Sequence, residues 1–142
     1  MNMNKLPMWY WIIAILALVW NLVGVYQYIS MRLITEEQFS QMSEALQQLH
    51  NATPSWVVAA FATAVFSGAL ASVLLLLKKS VAQLFFLISL LAILVQASYI
   101  LFMSESIELL GTQAAILPAV LAIVGIFLLW FSNFSKSRGW LK

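Results

Sequence analysis

The sequence contains little charge and no cysteine. Asp, Glu, Lys and Arg make up 8% of its 142 residues, whereas 63% of them are hydrophobic. A soluble domain carries roughly a quarter charged residues, so this chain has too few polar groups to cover a surface in water. The absence of cysteine excludes disulfides, thiolate catalysis and cysteine-ligated metals. The formal net charge of +2 is too small to indicate a nucleic-acid partner. This composition predicts a chain whose surface faces a lipid bilayer.

Four long apolar segments contain no Asp, Glu, Lys, Arg or His, and they are residues 8–29, 55–77, 81–103 and 112–131. A membrane-spanning helix needs about 20 mostly apolar residues. In lipid, each backbone amide must be satisfied within its own segment, which favours helices. The first segment is too long for a signal peptide and lacks a small-residue cleavage pattern, so we interpret it as a retained anchor. The predicted fold is all-α: one transmembrane domain, residues 1–142, forming an integral membrane four-helix antiparallel bundle.

The connections between these segments alternate in charge. Six of the seven basic residues fall on one side of a four-span chain: Lys5, Lys78, Lys79, Lys136, Arg138 and Lys142. The other side carries the remaining basic residue, Arg32, and all five acids: Glu36, Glu37, Glu44, Glu105 and Glu108. Basic residues near helix ends favour the cytoplasmic side, so both termini are predicted to be cytoplasmic. The short Lys78–Lys79 turn predicts that the second and third spans are antiparallel neighbours.

The long connection between the first two spans carries its own helical pattern. Thr35 followed by Gln38 matches a capping box. An apolar stripe then recurs at spacings of three and four residues, through Phe39, Met42, Leu46 and Leu49. We therefore predict an extra amphipathic helix over residues 36–49 in the outer loop. This helix either lies on the membrane surface or caps the bundle, or it forms a lid over a cavity that opens outward.

Each span has one face of small and polar residues, which favours close helix packing. On the first span this face includes Asn21, and on the third it includes Gln96. Counted from the outer helix ends at 1.5 Å per residue, both amides lie roughly 10 to 14 Å deep. We expect Asn21 and Gln96 to bond directly or through one water, because an amide facing acyl chains is costly.

Two interpretations of these amides stay open. They either fix the register of the helices through hydrogen bonds, or they line a small polar cavity that opens outward. The residues of that candidate cavity are Asn21, Gln27, Thr63, Gln96 and Tyr99. Pro118 either bends the fourth span and widens such a cavity, or is a proline of the first helical turn without a mechanical role.

Long stretches of the chain resemble a family of small bacterial four-helix membrane proteins that often carry the label "sugar transporter". The resemblance is carried by WNLVGVYQY, ATPSWVVAAFATAVFSGALASVLLLLKK, LFFLISLLAILVQASYILF and WFSNFSKSRGWL, which are distributed over most of the length of the chain. They include Asn21, Gln96 and Tyr99, and Ser67–Gly68 stands where relatives tend to have two glycines. The resemblance implies a multi-pass protein of the bacterial cytoplasmic (inner) membrane, and it implies no mechanism.

The residue types available argue against catalysis. No span carries an acid, a base or a nucleophile, and His50 stands without partner ligands, so we expect no enzyme, cofactor or metal site. We expect instead that the chain binds or passes a small neutral polar solute, as part of a homo-oligomer because four helices are few for a pathway. The alternative is an accessory protein that binds lipid or another membrane protein.

Overall fold

The computed structural model describes residues 6–104 and 106–142. Within these ranges no residue forms a strand. Four helical runs are long and apolar enough to cross a membrane: Met8–Arg32, Ser55–Leu76, Ala82–Met103 and Thr112–Ser137. The prediction of an all-helical chain with four apolar spans is confirmed, and it indicates a multi-pass membrane protein. Lys5 and Glu105, which contributed to the charge pattern above, lie outside the described residues.

The helices differ from the predicted spans mainly at their ends. Helix α1 is Met8–Arg32, and two short helices follow, α2 (Glu36–Ser40) and α3 (Glu44–Ala52). The remaining long helices are α4 (Ser55–Leu76), α5 (Ala82–Ser98) and α7 (Ile116–Ser137), with the short α6 (Ser106–Leu110) before α7. A π-helical turn, Tyr99–Met103, continues α5, and a 3₁₀ turn, Thr112–Ala115, precedes α7.

The fourth helix runs beyond Phe131, where the apolar segment ends. Ser132 and Ser135 in this extension are fully buried. The inward-facing side of α7 therefore continues with serines after the aliphatic residues stop, and the helix extends to Ser137. Hydropathy alone placed the end of this helix too early because it does not distinguish a buried serine from an exposed one.

The helix predicted over residues 36–49 is interrupted, which corrects the single amphipathic helix expected there. The predicted capping box of Thr35 and Gln38 is present and begins α2. Ser43 ends the run, because its hydroxyl accepts the Leu46 N–H at 3.2 Å and caps a new helix, α3. The Gln47 side chain donates to the carbonyl oxygens of Phe39 at 2.9 Å and Met42 at 3.0 Å. These bonds connect α3 to the end of α2 and stabilise the turn between them.

The long helices pack in the order α1, α4, α5 and α7. Their small residues face inward as predicted, with Ala14 and Ala17 of α1, Ala64 and Ala71 of α4 and Ala82 and Ala92 of α5 all buried. Large aliphatic side chains such as Leu16, Leu91 and Ile123 are exposed on the outer surface. This arrangement suits a lipid environment, in which small residues allow backbones to approach closely and large apolar residues contact acyl chains.

An aromatic cluster closes one end of the helices, which we call the Trp140 end. The Trp140 ring lies 5.4 Å from Trp9, 5.7 Å from Tyr10 and 5.6 Å from Phe134, as measured between ring centroids. The chain then turns back, and the Lys142 N–H donates to the Lys78 carbonyl at 2.8 Å. The end of the chain is thereby attached to the turn between α4 and α5.

Tyr10 provides the polar anchor within this cluster. It is fully buried, and its hydroxyl donates to the Leu75 carbonyl of α4 at 2.5 Å. Replacing it with phenylalanine (Tyr10→Phe) removes this hydrogen bond but keeps the ring. We expect a loss of about 1 kcal/mol in the free energy of unfolding, measured by thermal or denaturant unfolding in detergent.

Tyr26→Phe is the matched control, because Tyr26 is 71% exposed. It should leave the unfolding midpoint unchanged. Equal midpoints for Tyr10→Phe and the unmodified chain would contradict the anchoring role of the hydroxyl.

Candidate functional site

Two half-enclosed cavities flank α5 at the end opposite the aromatic cluster, which we call the Tyr99 end. The larger, the α5–α7 cavity, measures about 320 Å³ and is lined by Ile93, Gln96, Ala97, Ile100, Leu110, Gln113, Ala114, Leu117, Pro118 and Leu121. The smaller, the α3–α5 cavity, measures about 210 Å³ and is lined by Met31, Leu49, Thr53, Val57, Val58, Phe61, Gln96, Tyr99, Ile100 and Ser104. Neither lining contains a charged residue.

Gln96 lies between the two cavities and contributes to the wall of each. Its side chain is half-buried and makes no hydrogen bond to the part of the protein that the structure describes. A carboxamide has two N–H donors and a carbonyl acceptor, so Gln96 can serve a bound molecule from either side of α5. It is thus the polar group best placed to contact a ligand.

The backbone beside Gln96 is irregular. After Ser98 the helix continues as a π-helical turn, and the Ser104 N–H donates to the Tyr99 carbonyl at 2.8 Å, five residues back. Such turns widen a helix locally and occur frequently at functional sites. Here the turn carries Ile100, which separates the two cavities together with Gln96.

Tyr99 attaches α3 to this end of α5. Its hydroxyl donates to the Ala52 carbonyl, the last residue of α3, at 3.3 Å. Its ring packs edge-to-face against Trp56 of α4, with centroids 5.7 Å apart. Leu49 of α3 and Thr53 consequently form one wall of the α3–α5 cavity. The segment that the sequence analysis considered as a lid therefore contributes to the lining of this cavity.

Asn21 does not reach either cavity. Its side-chain nitrogen donates to the Ala17 carbonyl at 2.8 Å and contacts the Ser72 hydroxyl at 3.3 Å. Its oxygen lies over Gly68 of α4, where a Cβ would come 2.8 Å from Asn21 Cγ. The amide faces inward as predicted, and it is used for packing α1 against α4.

The expected pairing of Asn21 with Gln96 is wrong. The group of α5 that approaches the same glycine is the hydroxyl of Ser89, which donates to the Ala64 carbonyl at 2.7 Å. Ser89 precedes Gln96 by two helical turns, which corresponds to about 10 Å along the axis. Depth counted from helix ends misplaced Asn21 because such a count does not give the register of one helix against another, and the continuation of α1 to Arg32 accounts for only part of the difference.

The remaining candidate residues are divided between the cavities and the outer surface. Gln96 and Tyr99 lie together in the α3–α5 cavity. Gln27 and Thr63 are exposed and line neither of the two cavities. Thr63 lies on the outward stripe of α4 with Ala59 and Phe66, and its hydroxyl donates to the Ala59 carbonyl at 2.9 Å. The helix thus satisfies this hydroxyl by itself.

Gln113 is a site residue that the sequence interpretation missed. It lies in the 3₁₀ turn before α7 and supplies the second carboxamide of the α5–α7 cavity. Gln113 is the second residue of its apolar segment, next to a polar connection, where a carboxamide does not by itself indicate a site. Pro118, also in this wall, is the third residue of α7, and a proline in the first helical turn removes no helical hydrogen bond.

Comparison of the chain with protein-family models, curated proteins and solved structures finds no match. Across residues 6–104 and 106–142, no three His, Cys, Asp or Glu side chains are grouped in a way that could hold a metal ion. The site is therefore interpreted from its own geometry, as a pair of uncharged cavities that share one amide.

The contact between Asn21 and Gly68 gives a test of the packing beside the site. Gly68→Ala places a methyl group against the Asn21 amide, and moving that amide breaks its two contacts. We expect a loss of roughly 1 to 3 kcal/mol in the free energy of unfolding, measured in detergent. Adding Asn21→Ala should recover part of this loss, since the methyl group then has space.

Gly125→Ala is the control, because its nearest neighbours would be the ends of two flexible side chains, Leu90 at 3.0 Å and Ile93 at 3.4 Å. A smaller effect is expected there. Equal losses at the two glycines, with no recovery by Asn21→Ala, would contradict the proposed role of the amide.

Proposed function

We propose that this chain is a membrane protein that binds a small neutral solute in the cavities at its Tyr99 end, with Gln96 as the principal contact. The observation that supports this concerns the Gln96 carboxamide. It lies between two cavities, and it has no hydrogen-bond partner among the described residues. A polar group left unpaired in an apolar environment is costly, and a ligand or water relieves that cost. The uncharged linings favour a neutral ligand.

The accessory-protein alternative predicts that polar groups inside the spans serve the protein's own packing. Asn21, Ser72 and Ser89 behave in this way, because each bonds to another helix or to its own backbone. Gln96 does not, and it favours binding over a purely structural role. The resemblance to small bacterial membrane proteins labelled as sugar transporters agrees with a solute-binding role without identifying the solute.

We also propose that the chain is an antiparallel four-helix bundle of the bacterial inner membrane with both termini in the cytoplasm. The charge distribution supports this orientation. Basic residues cluster around the Trp140 end, at Lys78, Lys79, Lys136, Arg138 and Lys142, and such clusters favour the cytoplasmic side. The cavities would then open outward, and passage of a solute across the bilayer would require a second copy of the chain, since the aromatic cluster closes the other end.

Cysteine substitution tests whether water reaches Gln96. The chain has no cysteine, so Gln96→Cys gives a single thiol. We expect it to react with a membrane-impermeant thiosulfonate reagent in proteoliposomes, because a thiol in a wet cavity ionises. Val95→Cys is the matched control one residue away, since Val95 is 46% exposed on the outer surface and would face acyl chains.

The lipid-facing thiol should react at least about tenfold more slowly, because raising its pKa by one unit lowers the thiolate fraction by that factor. Protection of Ala97→Cys by a neutral solute would report occupancy directly, because Ala97 lines the α5–α7 cavity and the variant keeps Gln96. Equal reaction rates at the two positions would contradict a water-accessible cavity at Gln96.

The orientation has its own test. Gln41→Cys, between α2 and α3, and Ser137→Cys, at the end of α7, are both exposed positions. In intact cells an impermeant maleimide should label Gln41→Cys from outside, whereas Ser137→Cys should react only after the membrane is permeabilised. Labelling of Ser137→Cys in intact cells would overturn the assignment.

A further inference from the structure

The α5–α7 cavity has a lining that restricts what it can bind. Eight of its ten lining residues are apolar, and the two polar ones are the carboxamides of Gln96 and Gln113. Its volume of about 320 Å³ is at the lower end of the range for small-molecule sites, which is roughly 300 to 1,000 Å³. A ligand here is therefore small and covered mostly by aliphatic side chains.

The hydrogen-bonding capacity of this cavity matches one or two polar groups. Each carboxamide offers a carbonyl acceptor and an amino donor, so the two together can satisfy a hydroxyl, a carbonyl or an amide. A free sugar carries several hydroxyl groups around its whole ring. Most of them would face Ile93, Leu117 or Leu121 without a partner, and each unpaired hydroxyl opposes binding.

The α3–α5 cavity shows where the polar part of a ligand would lie. Its wall includes the hydroxyls of Thr53 and Tyr99 in addition to Gln96. Both hydroxyls donate to backbone carbonyls, of Leu49 at 2.7 Å and Ala52 at 3.3 Å, and their oxygens can still accept a bond. The wall on the Tyr99 side of Gln96 thus carries hydroxyl groups, whereas the lining of the α5–α7 cavity carries none.

We propose that the ligand is a neutral amphipathic molecule with an aliphatic body and one or two hydroxyl, carbonyl or amide groups, and that the site discriminates against free sugars. The aliphatic body occupies the α5–α7 cavity, and the polar group contacts Gln96. This inference rests on the proposed binding function and specifies its ligand class.

Photolabelling provides the test. The protein is reconstituted in phospholipid nanodiscs with a medium-chain alcohol that carries a diazirine on its chain, and adducts are located by mass spectrometry. We expect adducts on the cavity-lining residues Ile93, Ala97, Leu117 and Leu121 that excess unlabelled alcohol removes and excess glucose does not. Lipid-facing positions such as Leu94 and Ile123, which are exposed, should show only labelling that no competitor removes.

Ala114→Phe is designed to fill the α5–α7 cavity, since Ala114 lines it. We expect labelling within the cavity to fall by about tenfold, equivalent to about 1.4 kcal/mol in binding free energy. Ala119→Phe is the matched control, because Ala119 is exposed on α7 and lines neither cavity. It should label as the unmodified chain does, and its unfolding midpoint reports whether a new phenylalanine is tolerated.

The outcomes separate the two proposals. If glucose protects Ala97→Cys, a lining position that keeps Gln96, from thiosulfonate and the alcohol leaves no competable adduct, the binding function stands and the ligand class proposed here is wrong. If the adducts follow lipid exposure alone and neither compound protects Ala97→Cys, both proposals fail. Competable labelling that Ala114→Phe removes and Ala119→Phe keeps supports both.

Discussion

The Asn21 carboxamide packs against the backbone of Gly68, and the packing of α1, α4 and α5 depends on this contact. Gly68 has no side chain, so α1 brings an amide directly against α4, and Ser89 of α5 approaches the same glycine. Ser72 completes the group by bonding to the Gly68 carbonyl at 2.8 Å. Aliphatic side chains alone would allow one helix to slide past another. The Asn21 amide opposes such sliding, because it would lose its hydrogen-bond partners, and an unsatisfied polar group is costly in an apolar environment.

The two ends of the helices use different means of closing the interior. At the Trp140 end, aromatic rings in edge-to-face contact and the returning chain terminus fill the space between helices. At the Tyr99 end the connections are short helices and turns, with Gly111 in a left-handed conformation at φ 80° between α6 and the 3₁₀ turn. These segments cover the ends of the helices without filling the space between them. Cavities therefore form at the Tyr99 end, on both sides of α5.

Two carboxamides inside the spans have the same functional group but different roles. Asn21 is an amide whose donor contacts lie on α1 and α4, and it contributes to helix packing. Gln96 is an amide for which the sequence predicts a similar depth in the membrane. It has no hydrogen-bond partner in the described part of the chain. An amide within a span is thus not by itself evidence of a site. What distinguishes Gln96 is the space on either side of it.

The sequence by itself determined the four apolar helices, their inward-facing small residues, the capping box at Thr35 and the inward direction of Asn21, because periodicity and hydropathy are local properties. It did not determine the register of one helix against another, so the pairing of Asn21 with Gln96 was misplaced by about two turns. It also did not separate Thr63, which faces outward, from the stripe one residue away, nor find Gln113 in a turn. Register and cavities depend on which backbones approach at Gly68 and which segments cover α5, and only the tertiary structure decides these.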